Sequence, residues 1–213
     1  LNAGIDGDID ILLTKNNLQA KALSPRSTIK TPSEKNRIDL TEKPVLILRS
    51  WSDSSSPPLP AINIEPNEGG VRLWVHSPSI AERVSIGNNL DNWLYQRAEA
   101  HCLGNQWSPL INETLKKCCE FKVGEVNKAI TVQLDITSEG MIKDWEFFLS
   151  QIKPVALINT KHLQTLNARK PKSRAIPIAL KPIKDYLNQL QTVIYSAEKL
   201  IEGEINKGLI ELD

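Results

Sequence analysis

The order of apolar and polar positions divides the chain into an irregular first part, a series of short strands and a long final helix. Residues 1–43 keep no steady period and contain polar, proline-interrupted segments at 24–27 and 31–35, so we interpret them as an N-terminal extension or linker. From residue 44 onward, short apolar runs predict strands. These strands are 45–48, 61–65, 71–76, 129–136, 142–149 and 152–158. Turn residues at 138–140 join two of them into a predicted hairpin.

Two segments change to the period of a helix. Residues 90–102 place apolar side chains on one face, and Asn88 or Asn89 can cap the start. The clearest element is the last one, which we predict to begin at Pro182 and to end at Gly208. Its long apolar stripe needs a surface that covers it. Strands followed by a long helix predict an α+β fold, here a β-rich mixed sheet with a short helix and one long C-terminal helix.

Composition and charge exclude several classes of protein. The chain has 213 residues and carries 26 basic against 25 acidic side chains, a net charge of +1. Any contact with nucleic acid must therefore come from a local patch. No apolar run reaches the roughly 20 residues that span a bilayer. Three Cys make no disulfide framework and indicate a reducing, intracellular compartment, either the bacterial cytoplasm or an organelle stroma or matrix.

The densest local charge lies between Lys153 and Lys184, where eight basic residues occur without an acid. Such a field attracts phosphates even when the whole chain is near neutral. A solvated loop balanced by acids elsewhere explains the same composition equally well. Elsewhere, the three His have no metal-ligand spacing, and no Gly-rich phosphate loop occurs.

A set of short motifs then gives the chain a family resemblance. They occupy 37–41, 73–76, 87–91, 109–110, 125–135, 139–140, 144–146 and 206–213. In this order and spacing they resemble the catalytic RNB domain of ribonuclease II and ribonuclease R. The resemblance covers residues 37–213 and implies that 44–213 form the first half of such a domain. The chain begins at Leu1 rather than Met and lacks the second half, so we expect a fragment of a longer polypeptide or a chain that meets another protein.

The family hydrolyses RNA from its 3′ end, and a cluster written Asp-x5-Asp-x-Asp-Asp before a strand binds magnesium. Closely spaced carboxylates hold hard cations, which activate water. Counting back from residues 61–62 places the four positions at Trp51, Pro57, Leu59 and Pro60, and the only acid nearby is Asp53. None of the four side chains can ligate magnesium. We therefore predict no catalytic residue, no metal ligand and no cofactor in this chain.

Two further positions depart from the family pattern. Ser79 stands at the Asp of the family's His-Ile-Ala-Asp-Val, and Cys102 stands at its base-stacking Tyr. Loss of that ring removes about 1–3 kcal/mol of stacking per base. The resemblance therefore implies a catalytically inactive relative that binds RNA or protein. As an RNA-binding module it would use Arg97, Trp107, Lys170, Lys172 and Arg174.

The other role is that of a structural subunit in a larger assembly, which we favour because of the missing Tyr and the near-neutral charge. That subunit would bury the stripe of the last helix against a protein partner, through Ile183, Leu187, Leu190, Ile194 and Ile201. The alternative is an active, magnesium-dependent 3′–5′ exoribonuclease on single-stranded RNA. Its carboxylates would come from Asp6, Asp8 and Asp10 or from another chain.

Overall fold

The computed structural model describes residues 11, 15, 24–49, 60–103, 106–169 and 175–209, with the backbone alone at 101–103 and 106–108. The chain divides into two compact units. Of the described residues, 11, 15, 24–33, 80–103 and 106–120 belong to the first, which we name the small unit. The second, the sheet unit, contains 34–49, 60–79, 121–169 and 175–209.

The elements are those of an α+β fold, as predicted. The strands of the described residues are β1 (Ile38–Leu40), β2 (Leu46–Arg49), β3 (Ala61–Asn67), β4 (Gly70–Pro78), β5 (His101–Leu103), β6 (Gln106–Ser108), β7 (Asn127–Thr137), β8 (Ile142–Ile152) and β9 (Ala156–Asn159). The helices that lie wholly within them are α1 (Asn89–Arg97), α2 (Glu113–Cys119), α3 (Thr160–Asn167) and α4 (Leu187–Asn206). Short 3₁₀ segments occupy Ala81–Arg83 and Ile178–Tyr186.

Seven strands form one mixed sheet in the order β1-β8-β7-β4-β3-β2-β9. The two outer pairs, β1 with β8 and β2 with β9, are parallel, and the inner pairs are antiparallel. Strand β1 lies in the segment that the polar pattern marks as linker, so the sheet begins before residue 44. The predicted strand 152–158 is two pieces, because β8 ends at Ile152 and β9 begins at Ala156. Between them lies Pro154, which has no N–H for the ladder.

The sheet packs on both of its faces. On one face, β2, β3 and β9 contact helix α3, the second 3₁₀ segment and the start of α4. This cluster, the helix-side core, contains Leu46, Ile62, Ala156, Ile158, Leu166, Leu180, Ile183, Leu187 and Leu190. The opposite face carries a second cluster around the buried Trp74, with Leu40, Val45, Ile47, Ala61, Phe121, Ala129 and Ile152. Because both faces of β2 and β3 are covered here, successive residues on each strand, Leu46 and Ile47 on β2 and Ala61 and Ile62 on β3, are both apolar.

The long final helix begins later than its pattern predicts. Residues 178–186 are 3₁₀, Ile183 leaves helical geometry at φ −118° and ψ 18°, and the α-helix starts at Leu187. Pro182 lacks an N–H, and its ring disfavours the α conformation of the preceding residue. The proline therefore lies in the 3₁₀ segment and not in the first turn of α4. At 20 residues, α4 is about 30 Å long.

The small unit is built from α1, α2 and the β5–β6 ribbon. Asn88 caps α1 as expected, and its side chain accepts a hydrogen bond from the Asp91 N–H at 2.8 Å. The helix ends at Arg97 because Ala98 takes a positive φ of 63°. The predicted helix 90–102 is therefore too long, and its last residues begin strand β5. Leu90 and Leu115 are central to the core of this unit.

Candidate functional site

The segment that carries the family's metal positions is bordered by the end of β2 and the start of β3. Positions 51, 57 and 59, together with Asp53, lie outside the described residues, and Pro60 directly precedes β3. In the register of the sheet, Ala61 lies opposite His76 of β4, and Arg49 lies beside Asn159 of β9. These residues are the described border of the candidate site.

His76 belongs to a buried polar chain that crosses three strands. Its Nδ1 lies 2.8 Å from the Thr131 Oγ1 on β7, which lies 2.6 Å from the Ser150 Oγ on β8. All three residues are fully buried. Arg37 continues the network with hydrogen bonds from Nη1 to the carbonyl oxygens of Ala129 and Ser150. Buried hydrogen bonds of this kind fix strand register, since each partner sits at one position only.

Burial controls the charge of His76. Desolvation lowers its pKa from 6.5 to about 4, so the imidazole is neutral at physiological pH. Its Nε2 is buried without a hydrogen-bond partner among the described residues, and the same holds for the Oγ of Ser79 three residues later. A neutral, enclosed imidazole cannot act as a general acid at neutral pH. Its contact with Thr131 links strands β4 and β7.

A second polar row lies on the same sheet face as His76. Arg72 donates to both carboxylate oxygens of Asp135, at 2.6 and 2.8 Å, and the pair lies in register across β4 and β7. The hydrogen bond from Arg72 is the main cause that holds the pKa of Asp135 below its ordinary value. Two residues along, the Trp74 indole donates to Gln133 at 2.9 Å. Cross-strand pairs of this kind stabilise the sheet.

Side chains of strand β3 form an ion pair with Lys43 and an amide hydrogen bond with helix α4. Lys43 contacts both Glu65 oxygens, at 2.7 and 2.8 Å, and its ammonium lies 5.0 Å from the centre of the Trp74 ring. The buried Asn63 accepts a hydrogen bond from Gln189 of α4 at 2.8 Å. The Gln189 contact holds helix α4 against the sheet, and the Lys43 contacts hold the chain before β2 against β3 and β4.

The residues at the metal positions do not fit magnesium. That ion takes oxygen ligands in near-octahedral geometry. An indole, two proline rings and a leucine side chain supply none, at Trp51, Pro57, Leu59 and Pro60. Within the described part of the chain, no group of three or more His, Cys, Asp or Glu is arranged to hold a metal.

Of the RNA-binding residues predicted from sequence, the structure describes Arg97 and the backbone of Trp107. Arg97 ends α1, and its guanidinium lies 5.3 Å from the centre of the Trp93 ring. Burial lowers the pKa of Arg97, which remains a cation at any physiological pH. Trp107 lies opposite Cys102 in the β5–β6 ribbon, where only the backbone is described. Lys170, Lys172 and Arg174 lie outside the described residues.

The predicted partner-binding stripe divides along α4. Ile183, Leu187 and Leu190 are buried in the helix-side core, and Ile194 packs against that core. These residues cover the chain's own sheet. Ile201, which is 48% exposed, lies near the end of α4 with Ile205. Its role in binding a partner stays a prediction.

The comparisons with known proteins agree with this fold. Residues 37–213 match the family model of the RNB domain, so the chain belongs to the RNB family. The apo form of Mycoplasma genitalium RNase R superposes with a TM-score of 0.73 at 15% identity, covering 97% of this chain and 32% of that chain. No curated protein matches the sequence.

Two further solved structures are similar. Mycoplasma genitalium RNase R in complex with double-stranded RNA has a TM-score of 0.70 and 16% identity, over 96% of this chain and 34% of that chain. Yeast Ssd1, described as a pseudonuclease, has a TM-score of 0.63 and 16% identity, over 80% of this chain and 23% of that one. The chain thus spans about a third of the RNase R chains. At these identities the likeness concerns the fold.

Among the described residues, no helix is long and apolar enough to cross a membrane.

Sequence reasoning did not find the buried polar chain of His76, Thr131 and Ser150. A signal was present, since His76 and Thr131 lie in segments predicted as strands and Ser150 directly follows one. A histidine and two hydroxyl residues among apolar strand positions indicate polar groups that need partners. Their pairing depends on the register of β4, β7 and β8, which the sequence pattern does not determine.

Proposed function

We propose that this chain is a catalytically inactive RNB domain that acts as a structural subunit or as an RNA- or protein-binding module in a larger assembly. The observation that carries the proposal is the chemistry at the four positions of the family's Asp cluster. They hold Trp51, Pro57, Leu59 and Pro60. The loss of a single carboxylate leaves others to hold an ion, whereas the loss of all four removes the charge of the site.

The start of β3 supports the alignment behind this argument. The family pattern ends directly before a strand, and β3 begins at Ala61, directly after Pro60. Moving the alignment by a few residues does not bring a cluster of acids onto the four positions, because Asp53 is the only acid between 50 and 60. The prolines add to the change, since each fixes φ and removes a backbone donor.

Two observations favour the structural role over RNA binding. Cys102 stands where the family has its base-stacking Tyr, and the chain is nearly neutral at +1. Tight RNA binding depends on cations and on aromatic platforms. The likeness to yeast Ssd1, described as a pseudonuclease, supports the idea that a protein of this fold can function without catalysis.

Free thiols at the exposed Cys118 and the buried Cys119 support a reducing compartment.

The second candidate is an active exoribonuclease with carboxylates from Asp6, Asp8 and Asp10 or from another chain. Membership of the RNB family favours it. It requires those acids to rebuild a metal site with strict geometry. All three residues lie outside the described part of the chain.

Metal binding tests the proposal. We expect calorimetry with magnesium, and with manganese as its substitute, to show no stoichiometric site. The matched variant is Asp53→Asn, which should behave like the unchanged chain. A stoichiometric site that is lost in Asp53→Asn, or in a variant with Asn at positions 6, 8 and 10, would contradict the proposal.

RNA binding separates the two roles. A labelled oligouridine should bind the chain weakly or not at all if the role is structural. As a binding module, the chain should lose affinity steeply with salt. Replacement of Lys170, Lys172 and Arg174 by Gln should then reduce the slope of log affinity against log salt by roughly two, since each phosphate contact contributes about 0.7 for a single strand.

A further inference from the structure

Strand β8 has an open edge in the described structure. On one side it pairs with β7 from Ile142 to Ile152. On the other side, β1 covers only Ser150 to Ile152. No described strand pairs with residues 142–149 on this outer side. A row of unpaired backbone N–H and C=O groups is a template for another strand.

From Asp144 to Phe147 the side chains along this edge alternate between acidic and apolar, and Lys143 precedes them. Ile142, Trp145 and Phe147 are 51%, 67% and 60% exposed. They lie opposite Ile136, Leu134 and Val132 of β7, respectively, so they share one face of the sheet. The irregularity between Asp135 and Ile136 brings Ile142 onto the same face as the two aromatic residues. Further across the sheet, this face carries Leu73, which packs against the helix-side core.

The opposite face of the edge carries two acids, and the exposed Lys143 lies near Asp135, whose pKa its charge helps to lower. Asp144 lies opposite Asp135, and Glu146 lies opposite Gln133. Arg72 is already engaged by both oxygens of Asp135. Asp144 and Glu146 are both exposed, and Asp144 accepts a hydrogen bond from the N–H of the adjacent Trp145 at 2.8 Å. Because an ionised carboxylate has about four acceptor sites, each acid can still accept from a cation. The edge thus offers apolar surface on one face and carboxylates on the other.

A second copy of the chain is a poor occupant of this edge. In an antiparallel continuation of the sheet, residues that oppose each other point to the same face. Asp144 and Glu146 would therefore face the same acidic positions, or Phe148, of the copy. Like charges placed directly opposite each other destabilise a strand pair. The acids disfavour pairing between copies and favour a partner of opposite charge.

We propose that the edge of β8 from residue 142 to 149 binds an extended strand of a protein partner in which apolar residues alternate with Lys or Arg. The apolar side chains of that strand continue the surface of Trp145 and Phe147. Its basic side chains reach Asp144 and Glu146. Main-chain hydrogen bonds supply affinity and the alternation supplies specificity, as in other cases of strand addition. The inference names a partner class for the assembly role and rests on that proposed function.

Fluorescence anisotropy with synthetic peptides tests the proposal. The probe is a labelled eight-residue peptide in which valine and lysine alternate. One control peptide has the same composition in two blocks, and another alternates valine with glutamate. We expect the valine–lysine alternation alone to bind. Equal binding of the block peptide would overturn the proposal, because charge without strand register would then suffice.

Substitutions at exposed positions assign the binding to this edge. Asp144→Lys with Glu146→Lys should weaken the lysine peptide by about tenfold and favour the glutamate peptide. Trp145→Ser with Phe147→Ser should abolish binding of the lysine peptide. Because these side chains are exposed, the variants should fold normally, which circular dichroism checks. Unchanged affinity in both variants would place the peptide elsewhere and contradict the inference.

Amide hydrogen exchange gives an independent readout. Amides of 142–149 that point away from β7 should exchange fast in the free chain and slowly with the lysine peptide. Protection already present in the free chain would show an edge that is covered, and would overturn the proposal. So would an oligouridine that displaces the peptide, since it would assign the aromatic pair to base stacking. A failure of these peptide tests leaves the magnesium measurements unaffected, so the two proposals fail separately.

Discussion

Gly140, in the turn between β7 and β8, lies against the backbone of Lys199 in helix α4. A Cβ at this glycine would overlap the Lys199 carbonyl oxygen, and the backbone takes a φ of +79°. Both the close approach and the left-handed conformation require glycine. The contact joins the hairpin to the helix, two elements that are separate in the chain.

Gly140→Ala should therefore lower the free energy of unfolding by about 2–4 kcal/mol, from backbone strain and displacement of α4 together. Gly69→Ala is the matched control. Gly69 has a similar φ of +74° in the β3–β4 turn, but no atom lies within 4 Å of the place that a Cβ would take. That control should lose only about 1 kcal/mol. Urea denaturation measures both variants, and equal losses would contradict the close contact.

The buried His76 should make the chain less stable in mild acid. Its pKa is 6.5 in the unfolded chain and about 4 in the folded one, so the unfolded chain takes up the proton first. Stability from this group is fully present above pH 6.5 and is lost as the pH falls from there to about 4. The loss amounts to roughly 3 kcal/mol at about 1.4 kcal/mol per pKa unit.

Chemical denaturation at several pH values measures this slope. His76→Gln should remove most of the slope in that window, even if the variant is less stable throughout. His162→Gln, at a partly exposed histidine whose pKa is lowered in the same direction, should leave most of it. A slope that persists unchanged in His76→Gln would assign the acid sensitivity to other groups.

The bidentate pair of Arg72 and Asp135 should be stronger than an ordinary surface ion pair. A double-mutant cycle with Ala at both positions should give a coupling energy of about 1 kcal/mol, reduced by salt. The comparison is the exposed pair of Glu113 and Lys117 in α2, with atoms 3.9 Å apart, which should give about 0.3 kcal/mol. Equal coupling energies would show that the aligned geometry contributes nothing.

Much of the fold could be predicted from the sequence, for identifiable reasons. The strands that became β2, β3, β4, β7 and β8 carry apolar runs or alternation, and the 138–140 turn contains the required glycine. Asn88 has the side chain that caps a helix. These signals are local, so a single sequence shows them.

Other features depend on distant parts of the chain. Strand β1 is short and half-exposed, and it exists because β8 pairs with it. The apolar stripe of α4 predicts a partner surface, yet Leu187 and Leu190 cover the chain's own sheet. Apolar periodicity shows that a helix face is buried but does not show against what. The open edge of β8 likewise becomes visible only when strand order is known.

The most direct test of the central claim is decay of RNA by the purified chain. A 5′-labelled oligouridine is incubated with excess chain and magnesium, with a second sample in chelator. We predict that the RNA remains intact in both. Shortening from the 3′ end that requires magnesium, and that is lost in the variant with Asn at positions 6, 8 and 10, would contradict the claim that this RNB domain is inactive.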